Sequence, residues 1–382
     1  MSPTPVTFAT PNQPSSYTWE ATNEEVAARY GVAPEDVVRF DLNTAPVPPD
    51  LAQRVMSAGQ FHTSLSEYPP SDYRRLVEAA AARYGVGTDE IVVGAGADEI
   101  LDVIGKTFLV ERSRAIVPIP TYAMFRVITE QRGAEAVPVP RLGAGEGHAL
   151  DLPAVREAAR DAALLWLCSP NNPTAQAEPD GAIETLVGLI AADAAADGRP
   201  SPIIVIDEAY AEFAGHSLAD LRFEHPNLVV IRTVSKAYAL AGIRVGFAIA
   251  RPELVARMNP IRPPGSVSTV SVTVATEALL HPSLAATNVE RVSEERTRLI
   301  EELRAAGWSV GPSTTNFVLV DLESVDRAAA VADGLLRHGL VPRTFPDSHP
   351  LADHLRLTVR SREQNDRLIA AARSIEEGGV PV

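Results

Sequence analysis

P-I-I-V-I-D-E-A-Y, from Pro202 to Tyr210, and R-T-V-S-K-A-Y-A-L-A-G-I-R-V-G-F, from Arg232 to Phe247, are the stretches on which the reading of this chain turns. The first opens as four consecutive β-branched residues, Ile203 to Ile206, with no polar alternation. Such a run suits a strand of a parallel sheet covered on both faces. It ends in Asp207, Glu208 and Tyr210, so polar chemistry begins where the strand leaves the core. The carboxyl ends of strands are where open α/β sheets bind ligands. The second stretch places Ser235 and Lys236 after another apolar run, Leu228–Ile231, with Arg244 eight residues beyond the lysine.

Lys236 stands out by composition. Of 34 basic residues only Lys106 and Lys236 are lysines, leaving 34 − 2 = 32 arginines. A guanidinium stays protonated, whereas a lysine amine can lose its proton in a desolvated or cationic site and attack a carbonyl. Lys106 lies in the amphipathic pattern I-L-D-V-I-G-K-T-F-L and reads as a solvated side chain. Lys236, flanked by hydroxyls and followed by an arginine, reads as a catalytic lysine.

Working outward, strand and helix patterns alternate from about Ile91 to Ala250. Strands are expected at Ile91–Val93, Ala115–Ile119, Ala134–Pro140, Ala163–Cys168 and in the central stretch. This is the pattern of a doubly wound α/β domain with a mostly parallel sheet. In G-A-G-A-D-E-I-L a strand turns through glycine straight into a helix, so that first-turn amides can meet a phosphate; alone, it would read as an ordinary tight turn. Upstream, residues 1–20 read as an irregular arm. Thr22 and Glu25 read as a capping box for a helix ending at Gly31, Val37–Leu42 as a short strand, and Leu51–Ala58 and Asp72–Tyr84 as helices. Beyond Arg251 helices dominate (Val267–Leu280, Leu284–Ala306, Arg327–His338 and from Glu363), with strands near Asn316–Val320 and Leu355–Val359, giving a smaller α+β domain. The expected division is an N-terminal arm and segment associated with the small domain (1–50), a large domain (51–262) and a small C-terminal domain (263–382).

Composition removes several function classes. The net charge of −15 argues against nucleic acid or an anionic membrane as partner, though not against a small anion held by local arginines. One cysteine, Cys168, excludes an internal disulfide and points to a cytoplasmic setting; it reads as a core residue. No long apolar run, signal-peptide pattern or metal-binding motif is present, so a soluble protein without a metal is expected.

D-E-A-Y, S-K-A-Y-A-L-A-G-I-R-V-G-F and the upstream S-P-N-N-P-T together resemble the fold-type I pyridoxal-phosphate aminotransferases, and within them most closely the histidinol-phosphate aminotransferase family. The resemblance runs from about Val38 to the C-terminus. It implies a pyridoxal 5′-phosphate cofactor carried on Lys236 as an internal aldimine, with a ping-pong exchange between an amine and a keto acid. By the same resemblance Asp207 pairs with the pyridine nitrogen, and Tyr210 and Asn172 serve the ring's phenolate oxygen. Ala97, Asp98, Ser235 and Arg244 form the phosphate cup, and Tyr122 stacks on the ring. Arg356, in H-L-R-L-T-V, matches the arginine that takes the substrate's carboxylate. Arg343, thirteen residues earlier, matches the family's second, phosphate-binding arginine; read without the resemblance it is a solvated surface residue. Tyr68, in E-Y-P-P, resembles the tyrosine lent to the neighbouring subunit's cofactor, which implies a homodimer with shared sites.

The implied reaction is histidinol phosphate with 2-oxoglutarate, in histidine biosynthesis. The alternatives are an aromatic amino acid aminotransferase or an amino-acid-phosphate decarboxylase on the same scaffold. Three departures bear on that choice. L-N-T-A-P (Leu42–Pro46) stands where the family has an Asn-Glu-Asn segment, Ala175 replaces a glycine after N-P-T, and Arg360 replaces a glycine after the arginine strand.

Overall fold

Residues 21–378 are described in a computed structural model; the arm expected over 1–20 lies outside them. Helix α1 (Asn23–Tyr30) starts at a reciprocal cap: Thr22 Oγ1 accepts the Glu25 N–H at 3.2 Å, and the Glu25 carboxylate accepts the Thr22 N–H at 2.7 Å. Gly31 ends it in the left-handed conformation (φ 71°), as glycine does at helix C-termini. Strand β1 is Val38–Arg39 alone, shorter than the six residues expected. Its parallel partner is only two residues long, and beyond it the Asp41 carbonyl is taken by Arg356. Helices α2 (Asp50–Ala58) and α3 (Arg74–Tyr84) follow; α3 begins two residues later than expected because Tyr73 sits in the left-handed region at φ 47°.

The large domain then alternates. It runs β2 (Ile91–Gly94), α4 (Gly96–Phe108), β3 (Arg114–Ile119), α5 (Met124–Gln131), β4 (Glu135–Pro140) and α6 (Leu152–Ala158). After these come β5 (Leu164–Cys168), α7 (Ala182–Ala196), β6 (Ile203–Asp207), the short α8 (Ala211–Ala214), β7 (Leu228–Thr233), β8 (Gly246–Ala250) and α9 (Pro252–Met258). The seven strands lie in the order β2-β8-β7-β6-β5-β3-β4. β8 runs antiparallel to both its neighbours and the other pairings are parallel. Alternate residues of β6 feed two cores: Ile204 and Ile206 pack on one side of the sheet, Val205 on the other. That two-sided burial is why the run lacks polar alternation.

Helix α10 (Thr269–Leu280) packs back on α2 and α3, and the 23-residue α11 (Ser283–Ala305) leads to the C-terminal sheet. β9 (Ser309–Val310), β10 (Phe317–Asp321), α12 (Val325–Arg337), β11 (Leu340–Val341), β12 (His354–Thr358) and α13 (Arg362–Gly378) complete the fold. β12-β10-β9 form an antiparallel sheet, and β11 pairs with β1, which ties the N-terminal segment to this end of the molecule. No helix among the described residues is long and apolar enough to cross a membrane.

Candidate active site

β5, β6 and β7 are neighbours, so the residues that follow them converge on one sheet edge: Asn172 after β5, Asp207 and Tyr210 at the end of β6, Lys236 after β7. The Lys236 amine donates to the Asn43 carbonyl at 3.1 Å and lies 5.7 Å from the centre of the Tyr210 ring. It is enclosed deep in the cleft while its surface remains partly open to a small molecule. Burial, and next the Arg356 guanidinium, lower its pKa to about 8; Arg244 acts in the same direction, Asp98 and Asp207 against it. A substantial fraction of this amine is therefore neutral near physiological pH, the form that attacks carbonyls.

Asp207 is 4% exposed, and its Oδ1 accepts the Ala209 N–H at 3.0 Å. Burial raises its pKa to about 7, so it is a carboxylate waiting for a cationic partner. Tyr210 receives a hydrogen bond from Asn43 Nδ2 at 3.1 Å, which leaves the phenol proton to be given elsewhere. Its ring packs edge-on against Phe317 at 5.3 Å.

The turn between β2 and α4 has the geometry of an anion cradle. A Cβ on Gly96 (φ 83°) would lie 2.5 Å from Arg244 Nη2, and one on Gly246 would lie 2.6 Å from the Ala97 nitrogen. Only glycine at both positions lets β8 and Arg244 close on the first turn of α4. The N–H groups of that turn, Ala97 and Asp98 among them, have no acceptor within the helix. The Asp98 carboxylate accepts from Tyr122 Oη at 2.8 Å and from Arg244 Nη2 at 3.0 Å, which fixes both around the turn. Ser235 is buried, its N–H bonded to Thr233 Oγ1 at 3.1 Å.

Across the cleft, Arg356 on β12 donates to Asn172 Oδ1 at 2.6 Å and to the Asp41 carbonyl, with its guanidinium 5.3 Å from the Phe317 ring. Arg343 lies directly opposite in an isolated antiparallel bridge. The two residues exchange N–H···O bonds of 3.1 and 3.0 Å, and directly opposite residues present their side chains to the same face. Arg343, Arg356, Asn172 and Tyr122 all line a cavity of about 800 Å³. Tyr68 is not brought to this cluster. It is 92% exposed, with its ring beside Gly265.

Asn43 is the site residue that sequence reading missed. It is 3% exposed with φ 53°, and its carbonyl takes both Lys236 Nζ and Asn316 Nδ2 (3.0 Å), while its own N–H donates to Thr358 Oγ1 at 2.9 Å. Its signals were its place in the departing L-N-T-A-P segment and its residue type, since asparagine tolerates left-handed backbone better than most residues. Two of the three departures touch each other. Arg360 Nη1 donates to the Thr44 carbonyl at 2.9 Å, so the added guanidinium supports the altered segment. Ala175 adopts φ 68°, a conformation that costs a residue with a Cβ about 1–2 kcal/mol. Lys106 pairs with Asp102 on the α4 surface and Cys168 is buried, as expected.

A lowered-pKa lysine, a buried carboxylate, a phenol and an anion cradle around one cleft suit a phosphate-bearing aldehyde with a basic ring. Comparisons agree. The family described as aminotransferase class I and II matches residues 36–371. A histidinol-phosphate aminotransferase of Symbiobacterium thermophilum is 36% identical over 370 residues, covering 92% of this chain and 93% of that protein. One from Xanthomonas campestris is 37% identical over 82% of this chain and 86% of its own length. Among solved structures, histidinol-phosphate aminotransferase from Sinorhizobium meliloti, in complex with pyridoxal-5′-phosphate, superposes with a TM-score of 0.81 at 24% identity, covering 95% of this chain and 96% of that one. With a profile match over most of its length and relatives above 30% identity, this chain belongs to the aminotransferase class I and II family and is an aminotransferase.

Proposed function

We propose that the chain transfers the amino group of histidinol phosphate to 2-oxoglutarate, in histidine biosynthesis, yielding imidazole acetol phosphate and glutamate. The observation that carries the substrate is the Arg343–Arg356 bridge. Two guanidiniums set side by side by that bridge, both lining the cavity, offer a dianion two charge-assisted donors. The names of the relatives support the same choice.

The cofactor is pyridoxal 5′-phosphate, and the residues present fit it. Gly96 and Gly246 leave a cradle that a Cβ would fill, and Asp207 has no cation bonded to it among the described residues. Ala97, Asp98, Ser235 and Arg244 would hold its phosphate, Tyr122 the ring face, Tyr210 and Asn172 the phenolate oxygen, and Asp207 the ring nitrogen. When bound, it supplies the carbonyl that takes up the amine and a protonated ring that accepts electrons from the substrate carbon. Asp207 keeps the ring nitrogen protonated, which a carboxylate does and an amide does not. Lys236 Nζ, its pKa lowered by burial, would take up the proton from the substrate's amine-bearing carbon and give it back. The same amine serves both halves of the exchange. Arg356 holds the substrate anion, and its charge keeps Lys236 near its working pKa.

The enzyme works as a cytoplasmic homodimer in which Tyr68 reaches the neighbouring subunit's cofactor phosphate. Its near-complete exposure in a single chain supports this, because a tyrosine of a shared site has its partner on another subunit. The 51–262 domain carries the cofactor, while residues 21–50 and 263–378 close over the substrate.

A half-reaction screen following cofactor absorbance, with histidinol phosphate, histidinol, phenylalanine, tyrosine and phosphothreonine, tests the substrate. Fast amination by histidinol phosphate alone is expected; equal or faster reaction with phenylalanine overturns the reading. For the dimer, Tyr68→Phe and Lys236→Ala proteins are mixed and allowed to exchange. Mixed dimers hold one complete site, so activity returns; a monomer at working concentration ends the idea.

A further inference from the structure

The 800 Å³ cavity extends beyond the two arginines to a part of the chain that no expectation reached, the segment joining Arg343 to β12. Phe345 and His349 on this segment both line the cavity. Their rings stack at 4.7 Å with planes 17° apart. The segment is held by its own bonds: the His349 N–H reaches the Pro346 carbonyl at 2.8 Å, the Ala352 N–H the His349 carbonyl at 3.0 Å, and the His354 N–H the Leu351 carbonyl at 3.0 Å. Leu351, 1% exposed, anchors it in the core. This segment is pre-shaped although it contains no helix or strand.

The protonation of His349 is fixed by geometry. The Leu351 N–H donates to its Nδ1 at 3.1 Å, so that nitrogen is an acceptor and the ring proton sits on Nε2. Burial, and next the nearby Arg343 charge, lower the pKa of the ring and keep it neutral. Among the described residues nothing bonds to Nε2. A fixed donor without an acceptor, beside a cation and on the wall of a substrate cavity, matches an anionic oxygen.

We propose that His349 is a specificity-determining residue whose Nε2–H, oriented by Phe345 and the Leu351 amide, donates to the phosphate ester of the amine substrate beside Arg343. The inference rests on the phosphate-bearing substrate of the preceding subsection. It adds a third, neutral donor beside Arg343, on the phosphate's side of the clamp, whereas the α-carboxylate of glutamate is assigned to Arg356.

The test uses holoenzyme and three amines: histidinol phosphate, histidinol and glutamate. Wild type is expected to favour histidinol phosphate over histidinol; no such preference overturns both the substrate reading and this inference. Given that preference, His349→Phe keeps the stack and loses the donor. Its KM for histidinol phosphate rises about 10- to 100-fold, the value of a hydrogen bond to a charged group, with kcat nearly unchanged. KM for histidinol and for glutamate stay at wild-type values. His349→Gln, whose amide can still donate, recovers most of the loss. An unchanged KM for histidinol phosphate, or an equal rise for all three amines, overturns the inference and leaves His349 as a brace for its segment. Should His349→Phe fail to fold, His349→Leu is read in the same way.

Discussion

The inner end of the cleft and its outer wall are built on different plans. Asp207, Tyr210, Asn172 and Lys236 follow three adjacent strands whose residues are almost wholly buried, so each is held by the register of a seven-stranded sheet. Arg343, Phe345 and His349 stand on a segment joined to the sheet through one isolated bridge. Bond-making needs atoms fixed to a fraction of an ångström, which strand ends provide. Selecting among amines needs a surface that can be altered without disturbing that geometry, and an outer segment provides it.

The largest effect should come from the inner end. Lys236→Ala is expected to lose transamination by about 10⁴-fold or more, since nucleophile and base are one group. In wild type, borohydride should fix the cofactor covalently on this lysine; peptide mapping that finds it on Lys106 would break the comparison at its root. Next, Asp207→Asn should retain cofactor and slow proton abstraction by about 10²- to 10⁴-fold. Asp207 also offers a reading without cofactor. Its folded pKa of about 7 lies above the ordinary carboxylate value, so it adds stability at low pH that is lost as pH rises through 7. Apo Asp207→Asn should therefore melt above apo wild type at pH 8, with the gain shrinking toward pH 4.

The two arginines then separate the regions. Arg356→Ala should damage both half-reactions by about 30- to 1000-fold, having lost a charge-assisted contact. It should also raise the Lys236 pKa above about 8, because a cation that disfavoured the ammonium form is gone. The pH midpoint of cofactor capture by the apoenzyme should move alkaline. Arg343→Ala should cost about 10- to 100-fold on histidinol phosphate and little on glutamate. Equal loss on both would mean that the outer wall is not specialised.

Asn43→Gly should show the smallest effect, about 3- to 10-fold in kcat, because it removes the donor to Tyr210 while the carbonyl and the positive φ remain. Asn43→Ala should add a loss of thermal stability, since alanine tolerates φ 53° poorly.

What was legible follows the same division. The β6 run, the D-E-A-Y and S-K-A-Y motifs and the glycine turn before α4 could be read because buried strands and cradles restrict which residues fit. The strand expected over Val37–Leu42 shrank to two residues, since its length depends on a partner, β11, 340 − 38 = 302 residues away in sequence. Asn43 was hidden because it binds Lys236 through its main chain, which any residue type carries. The pairing of Arg360 with Thr44 was also out of reach: each alone reads as a loss, and only the fold shows one supporting the other. Phe345 and His349 are four residues apart, a helical spacing, but Pro346 and Pro350 rule out a helix there, so nothing in the spelling of that segment pairs them.

The bridge between Arg343 and Arg356 has a consequence for redesign. Mutual main-chain bonds set the two Cα atoms about 5.5 Å apart, whatever lies between them in the chain. Of the twelve intervening residues Leu351 is buried and His354 and Leu355 belong to β12, so the surface stretch 344–350 is the exchangeable cassette, clipped at both ends. Its length and lettering can be varied in a library while the anion clamp keeps its gauge, so new amine preferences can be sought there without rebuilding the enzyme.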